Sequence, residues 1–276
     1  MDLTRIVLGL ILSIAIGGLA YWRNSLTVSG WIGAVVVGTL TFGFGGWPLG
    51  LALITFFVSS SGLSHYKEAI KERRAAEKFS KGGRRDFAQT MANGGLGALL
   101  ALIYGLTKEP LFLAAFVGVM GTVNADTWAT ELGVLSPHRP RLITTGKEVE
   151  PGTSGGISIV GTSASAAGGL LIGVAMVIFY ALGQLINGTP LSIQWWLLPA
   201  SLLGGLLGSL SDSLMGATVQ AIYRYPDGRE TERTVARDGK PNAFVRGWRW
   251  MNNDFVNAIS SICGALVSVG VFALMR

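Results

Sequence analysis

Charged residues are scarce in this sequence, and cysteine and histidine are nearly absent. Asp, Glu, Lys and Arg make up 14% of the 276 residues and hydrophobic residues 50%, whereas a soluble domain carries about 25% charge. The single cysteine, Cys263, excludes an intramolecular disulfide and a cysteine metal cluster. His65 and His138 have no partner at metal-ligand spacing, which argues against a histidine metal site. The shortage of charge favours a chain surrounded by lipid.

Long apolar segments dominate what is present. A helical span needs about 20 apolar residues, and eight segments qualify: 3–22, 27–45, 47–64, 88–107, 109–134, 156–186, 193–218 and 251–275. The segment 156–186 is long enough to contain a break. We predict an all-α, polytopic transmembrane bundle of about eight spans that forms one domain over residues 1–276. Three polar segments, 65–87, 135–155 and 219–250, interrupt it.

The distribution of basic residues predicts the orientation of the bundle. In an eight-span protein the loops after spans one, three, five and seven share one side, and they hold 19 of the 22 Lys and Arg residues. The positive-inside rule places those loops in the cytoplasm and both termini outside. The expected location is a bacterial or archaeal inner membrane, or an organellar membrane such as the thylakoid.

The first polar segment, HYKEAIKERRAAEKFSKGGRR, is rich in helix formers. It predicts that the third span continues into the cytoplasm until Gly82 and Gly83 break it. A solvated helix attracted to anionic headgroups is the simpler interpretation. Phosphate binding by Arg84 and Arg85 is the alternative.

Polar side chains inside the spans are the strongest functional signal. A charge in hydrocarbon costs about 2.5–3.5 kcal/mol even on lenient insertion scales, so such residues mark candidate sites. Under the predicted topology they all lie near the cytoplasmic boundary: Asn93, Asn124, Asp126, Glu131, Asp212, Asp254 and Asn257. On an ideal helix Asp126 and Glu131 point about 140° apart, which predicts different partners for the two carboxylates.

Two pairs of segments are similar to each other. ADTWATELG aligns with SDSLMGATV, which pairs Asp126 with Asp212, and RDFAQ aligns with NDFVN, which pairs Asp86 with Asp254. Duplicated halves would bring two aspartates to matching places in the bundle. Chance similarity is the alternative.

A glycine-rich stretch follows the fifth span. Its backbone is free to wrap an anion, and hydroxyl and cationic side chains accompany it; the candidates are Arg141, Lys147, Gly152, Thr153, Ser154, Gly155 and Gly156. The Walker A pattern GxxxxGK[ST] is absent. The alternative is a tight turn followed by small residues that pack helices.

The chemistry predicted for this set is phosphoryl transfer. Carboxylates favour Mg²⁺, which binds through one or two of them plus substrate phosphates. We expect the catalytic residues Asp126 and Asp212 to hold the metal, with Glu131 as a third metal ligand or as a residue that orients the metal's shell. The 147–156 loop and Arg141 would bind nucleotide phosphates, and Asn93, Asn124 and Asn257 would orient oxygens. A site at the cytoplasmic leaflet lets a nucleotide meet a lipid phosphate.

Three motifs resemble one known family: NADTWATELGVLS, PRLITTGKEVEPGTSGGISIVGTSAS and NNDFVNAISS. They resemble the integral-membrane family that contains the phytyl-phosphate kinases of tocopherol synthesis, which is distantly similar to phytol and dolichol kinases and to CDP-diacylglycerol synthases. The resemblance implies an NTP-dependent, Mg²⁺-dependent kinase, with CTP as candidate donor, that converts an isoprenyl monophosphate into a diphosphate. Matching motif positions implies these site residues: Asn124, Asp126, Glu131, Lys147, Gly152, Gly155, Gly156, Asp212, Asp254 and Asn257.

Two other functions use the same features. A cytidylyltransferase would attack the nucleotide α-phosphate and form a CDP-lipid. A membrane transporter would place its site near the midplane between inverted repeats. The expected partners are the isoprenyl monophosphate, the nucleotide and membrane lipids, without nucleic acid. The oligomeric state is open.

Overall fold

Helices make up most of the structure. The computed structural model describes residues 3–75, 78, 83–236 and 238–276. Its helices are α1 (Leu3–Trp22), α2 (Val28–His65), α3 (Glu68–Ala75), α4 (Phe87–Thr107), α5 (Pro110–Gly133), α6 (Ile159–Ile186), α7 (Leu197–Thr218) and α8 (Asn253–Met275). Among the described residues, seven helices, all except α3, are long and apolar enough to cross a membrane. The predicted polytopic helix bundle is confirmed.

The 38-residue helix α2 is a hairpin rather than one long span. Gly46 interrupts it with φ 78° and ψ −174°. The Thr27 N–H donates to the Arg85 carbonyl over 3.0 Å, and the Arg85 guanidinium donates to Ser61 Oγ over 3.4 Å. A straight helix would separate residues 27 and 61 by about 51 Å. Both arms, 28–45 and 47–65, therefore return to the same end, which restores the predicted spans 27–45 and 47–64.

Helix α5 occupies the centre of the bundle. Every residue from Leu113 to Ala125 is buried, as expected of a helix that packs on all sides. Small residues allow the close approach of neighbours: Thr122 Oγ1 donates to the Gly204 carbonyl of α7 over 3.1 Å. Helix α6 starts at Ile159 and is continuous, so the break considered for 156–186 is absent there.

Short strands, which the all-α prediction omitted, lie in two of the polar segments and, for one strand, at the first two residues of the predicted span 156–186. An antiparallel pair joins β1 (Arg141–Leu142) to β2 (Gly156–Ile157). A three-stranded antiparallel sheet has the order β4-β3-β5, formed by β3 (Ile222–Arg224), β4 (Glu230–Thr231) and β5 (Ala243–Arg246). Strands of two to four residues are too short to show the alternation that identifies a strand in a sequence.

The predicted helical extension of the third span is wrong. Helix α2 ends at His65, Lys67 adopts φ 51°, and α3 follows as a separate helix. Lys71 of α3 explains the turn, because its Nζ donates to the carbonyls of Leu63 and Ser64 over 2.7 and 2.6 Å. It thereby satisfies carbonyls that the helix end leaves unpaired. Gly82, the predicted breaker, lies outside the described residues.

The three polar segments meet at one end of the bundle, here called the basic end. Arg74 of α3 donates to the Val134 carbonyl over 3.0 Å, and Ser154 donates to Gln220 over 2.6 Å. Lys78 contacts Glu150 over 2.6 Å. Because the α2 hairpin provides two membrane segments, the described residues form eight segments, and successive segments run in opposite directions between the two ends of the bundle. That the basic end faces the cytoplasm, with both termini outside, stays a prediction.

Candidate functional site

A polar cavity of about 430 Å³ lies at the basic end. It is surrounded by the ends of α2, α5 and α7, by the starts of α6 and α8, and by α3 and residues 151–158. Among the described residues that line it, three side chains are cationic, Lys71, Arg85 and Arg233. Six are carboxylates: Glu68, Glu72, Asp126, Glu131, Asp212 and Glu232. This excess of negative charge favours a cation as one occupant.

Asp126 of α5 and Asp212 of α7 line the cavity together. Ser209 of α7 donates to Asp126 Oδ1 over 3.4 Å, and Ser209 and Asp212 are neighbours on the α7 surface because they are three residues apart. Two aspartates from separate helices thus share one depth. This donor set fits Mg²⁺, which takes one or two carboxylates and completes its shell with water and phosphate oxygens.

Asn257 of α8 connects this pair to α4. With its amide nitrogen turned toward α7, Asn257 donates to Asp212 Oδ2 over 3.1 Å. In that orientation the Asn257 amide oxygen faces the Asn93 amide group at a distance of 3.1 Å. Asn257 lines the polar cavity and Asn93 does not. Asn257 therefore forms part of the cavity wall, and Asn93 contacts it from behind that wall.

Glu131 also lines the cavity but has different partners from Asp126, as the helical spacing predicts. It forms an ion pair with Lys71 and accepts a hydrogen bond of 2.7 Å from Ser64. Across the described parts of the chain, no group of three or more His, Cys, Asp or Glu side chains could hold a metal ion. The expectation that Glu131 completes a three-carboxylate metal site with Asp126 and Asp212 is therefore not met.

The glycine-rich segment contributes its second half to the cavity. Gly152, Thr153, Ser154, Gly155 and Gly156 are lining residues. The two cations predicted to accompany them are elsewhere. The Arg141 side chain is 63% exposed and pairs with Glu148 over 3.1 Å, and Lys147 is exposed.

Close packing fixes the position of this segment. Gly155 adopts φ +82°, and a Cβ there would lie 2.5 Å from the Cβ of Ala217 in α7. Its carbonyl accepts from the Ile143 N–H over 3.0 Å. Ser154 donates to Gln220, and Gln220 donates to Glu232 over 2.9 Å. The segment is thus attached both to α7 and to the 219–250 segment.

Two more predicted site residues lie outside the lining. Asn124 is fully buried and donates to the Gly168 carbonyl over 2.7 Å, while it accepts from Ser59 over 3.0 Å. It therefore joins α2, α5 and α6 beneath the cavity. Asp254 lies in the first turn of α8, where Asn252 is the N-cap. Asp86, its counterpart in the sequence alignment, instead caps α4.

Ser165 is a lining residue that the sequence did not single out. It is 2% exposed, and its hydroxyl has no hydrogen-bond partner among the described residues. Buried hydroxyls are usually paired, so this one is available to a ligand. The start of α6 lines the same wall, with Ser158 as its N-cap. A serine in a glycine- and alanine-rich span gives no sequence signal that separates it from packing residues.

Lys78 at the rim was not predicted from the sequence, whereas Arg85 was a candidate for phosphate binding. Lys78 donates to Glu150 over 2.6 Å and to Thr153 over 3.2 Å. The hydrogen bond from Lys78 to Glu150 and the charge of Lys78 lower the pKa of Glu150. Burial lowers the pKa of the Arg85 guanidinium, and the charge of Glu131 opposes that effect. Such residues look like ordinary loop charges in a sequence, because their contacts join segments far apart along the chain.

Comparisons with known proteins agree with this architecture. The chain is 33% identical to Protein PGR of Arabidopsis thaliana over 97% of this chain and 98% of the relative. It is 28% identical to an uncharacterized membrane protein of Methanocaldococcus jannaschii, over 89% of this chain and 85% of the relative. It is also 28% identical to Protein VTE6, chloroplastic, of Arabidopsis thaliana, over 89% of this chain and 65% of the relative.

No solved structure matches the chain. The family model described as Integral membrane protein DUF92 matches residues 11–265, which include the glycine-rich segment and both cavity aspartates. The chain therefore belongs to the integral membrane family DUF92, and the family resemblance identified from the sequence motifs is confirmed.

Proposed function

We propose that this protein is a membrane-embedded, NTP-dependent kinase that converts an isoprenyl monophosphate, such as phytyl phosphate, into the diphosphate. CTP is the candidate donor. One observation carries the proposal: Asp126 and Asp212, from separate helices, line one polar cavity at the basic end, beside a glycine-rich segment that also lines it. The membership in DUF92 supports it through the sequence resemblance.

The reaction needs no external base. An oxygen of the lipid monophosphate is already anionic near pH 7, and it attacks the γ-phosphorus of the nucleotide. The bond between that phosphorus and the β–γ bridging oxygen breaks, and the nucleoside diphosphate leaves with the electron pair. Phosphoryl transfer depends mainly on positioning and on neutralising charge, which are the tasks that this cavity can perform.

The residues divide these tasks by position. Asp126 and Asp212 would hold Mg²⁺, which when bound neutralises phosphate charge. Asn257 orients the Asp212 carboxylate. Residues 152–156 and the Ser165 hydroxyl offer backbone and side-chain groups to nucleotide phosphates. Glu131 acts as a positioning residue, because its pairing with Lys71 holds α3 against the cavity.

The test uses purified protein with Mg²⁺, each NTP and a panel of isoprenyl monophosphates. A kinase transfers label from the γ-position of the nucleotide to the lipid product. A cytidylyltransferase instead transfers α-label and releases diphosphate. Nucleotide-independent flux in proteoliposomes, with no labelled lipid, would support the transporter alternative and refute the kinase.

Substitution of the aspartates tests the assignment of the site. Asp126→Asn and Asp212→Asn should each lower turnover by more than about 100-fold, since even outer-shell partners of a metal contribute 10–100-fold. Asp254→Asn is the matched control, because Asp254 lies at the same end but outside the lining. Gel filtration verifies that each variant is folded. Equal activity of Asp126→Asn and Asp254→Asn would remove Asp126 from the mechanism.

A further inference from the structure

An apolar groove lies next to the polar cavity. It encloses about 80 Å³ between α1, both arms of α2 and α4. Its apolar walls include Ile16, Val37, Phe42, Leu53 and Phe57.

Two hydroxyls of this groove are already satisfied by their own helices. Ser13 donates to the Gly9 carbonyl over 2.7 Å, and Thr90 donates to the Asp86 carbonyl over 2.8 Å. The Asn93 amide also lines the groove and contacts Asn257, so apart from Arg85 the groove presents mainly hydrocarbon to an occupant. On α1 its lining extends from Gly17 to Ser13, about 7–14 Å below the helix end at Trp22.

Arg85 lines both the groove and the polar cavity. Its guanidinium lies 5.7 Å from the Phe56 ring centre and 5.8 Å from that of Phe57. Among the described residues it donates one side-chain hydrogen bond, to Ser61 over 3.4 Å. A guanidinium has five N–H donors in a planar fork that matches a phosphate, so most of its donors are available to a ligand.

The neighbouring arginine has a different environment. Arg84 donates to the Leu26 carbonyl through Nε over 3.3 Å and through its terminal nitrogen over 3.1 Å. It also lies 5.6 Å from the Tyr21 ring centre. Arg84 lines neither the groove nor the cavity. Of these two adjacent arginines, Arg85 lines the cavity and the groove, and Arg84 lines neither.

We infer that Arg85 binds the phosphate of the lipid acceptor, and that the apolar groove holds the first carbons of its isoprenyl chain. The inference rests on the proposed function for the identity of this ligand. Arg85 is the only residue that lines both spaces among those described. A phosphate bound there faces the cavity that contains Asp126 and Asp212. The amphiphile that fits has an anionic head and a single apolar chain.

The small volume of the groove limits what it recognises. About 80 Å³ holds only the carbons nearest the phosphate, so the remainder of the chain extends along α1 into lipid. Affinity should depend on the branched unit next to the phosphate and little on total length. Monophosphates of 10 and 20 carbons should therefore bind within a few-fold of each other.

Binding without nucleotide separates this inference from the kinase proposal. The first probe is an isoprenyl monophosphate with a photoreactive diazirine in its first isoprene unit. Crosslinks mapped by mass spectrometry should fall on α1, α2 and α4. Crosslinks elsewhere, or equal competition by anionic phospholipid vesicles, would overturn the inference even if γ-phosphate transfer is observed. Mapping to the groove without any phosphate transfer would refute the kinase proposal alone.

Matched variants test the phosphate contact. Arg85→Gln should weaken binding of the isoprenyl monophosphate about 10- to 150-fold, the range expected for lost hydrogen bonds to a charged group, whereas Arg84→Gln should stay near wild type. The corresponding isoprenol, which lacks phosphate, should bind both variants equally. A comparable loss of isoprenol binding in Arg85→Gln would show that Arg85 only maintains the fold and would overturn the inference.

A second pair of variants tests the groove in protein that retains Arg85. Ala34 lines the groove, and Ala34→Leu should reduce crosslinking and binding of the monophosphate. Ala15 is exposed on α1 and lies outside the groove lining, so Ala15→Leu controls for added bulk in the membrane. Unchanged binding in Ala34→Leu would show that the isoprenyl chain does not occupy the groove.

Discussion

The close approach of Gly155 to α7 makes a quantitative prediction for the glycine-rich segment. An alanine at φ +82° costs about 1–2 kcal/mol of backbone strain. Its Cβ, 2.5 Å from that of Ala217, adds about 1–3 kcal/mol of overpacking. Gly146 is the control, because it has φ +70° and nothing within 4 Å of an added Cβ. Gly146→Ala should carry the backbone cost alone.

The two variants should therefore differ by about 1–3 kcal/mol, or about 5- to 150-fold in the population of the opened segment. Hydrogen exchange of the Ile143 amide measures this opening, since that N–H donates to the Gly155 carbonyl. Exchange should accelerate much more in Gly155→Ala than in Gly146→Ala, and nucleotide affinity should fall in the same order. Equal acceleration would show that contact with α7 does not position the segment.

Three further predictions concern the fold. Lys71→Met should lower the free energy of unfolding by about 3 kcal/mol, because it leaves a largely buried carboxylate without its cation; thermal denaturation in detergent measures it. Gly46→Ala should destabilise the α2 hairpin by about 1–3 kcal/mol, whereas Gly62→Ala, with free space around it, should not. Equal destabilisation by the two variants would contradict a turn at Gly46. In a cysteine-free background, Asp238→Cys should be labelled from the cytoplasm and Pro190→Cys from the opposite side. The reverse labelling would overturn the orientation.

The sequence was sufficient for the membrane architecture because the signals are local. Each span is a continuous apolar run, and the predicted boundary between spans 27–45 and 47–64 falls at Gly46, where the hairpin turns. The depth of Asp126 and Asp212 also followed from local information, since both lie near the ends of spans that run in the same direction. Helical periodicity separated Asp126 from Glu131 without any knowledge of their partners.

The partners themselves could not be predicted, because they depend on contacts between distant segments. Lys71 and Glu131 are 60 positions apart, and no local pattern pairs them. Arg141 and Lys147 were chosen as nearby cations in the chain, but β1 and β2 pair and leave Arg141 and Lys147 outside the lining. Arg85 instead reaches the cavity from the start of α4. Proximity along the chain was a poor guide wherever a hairpin decides which side chain faces inward.

The charge and position of the cavity together favour an enzyme over a transporter. Carboxylates outnumber cationic side chains two to one among its described lining residues, so a polyphosphate would be repelled unless divalent cations accompanied it. A transporter site is expected near the midplane, whereas this cavity lies at the basic end and meets the apolar groove at Arg85. A polar space at the membrane boundary that adjoins a hydrocarbon surface suits a reaction between a water-soluble phosphate donor and a lipid. The proposed reaction would explain why carboxylates lie at this depth despite their insertion cost, because a cation held between them would offset both their own repulsion and that of the phosphates.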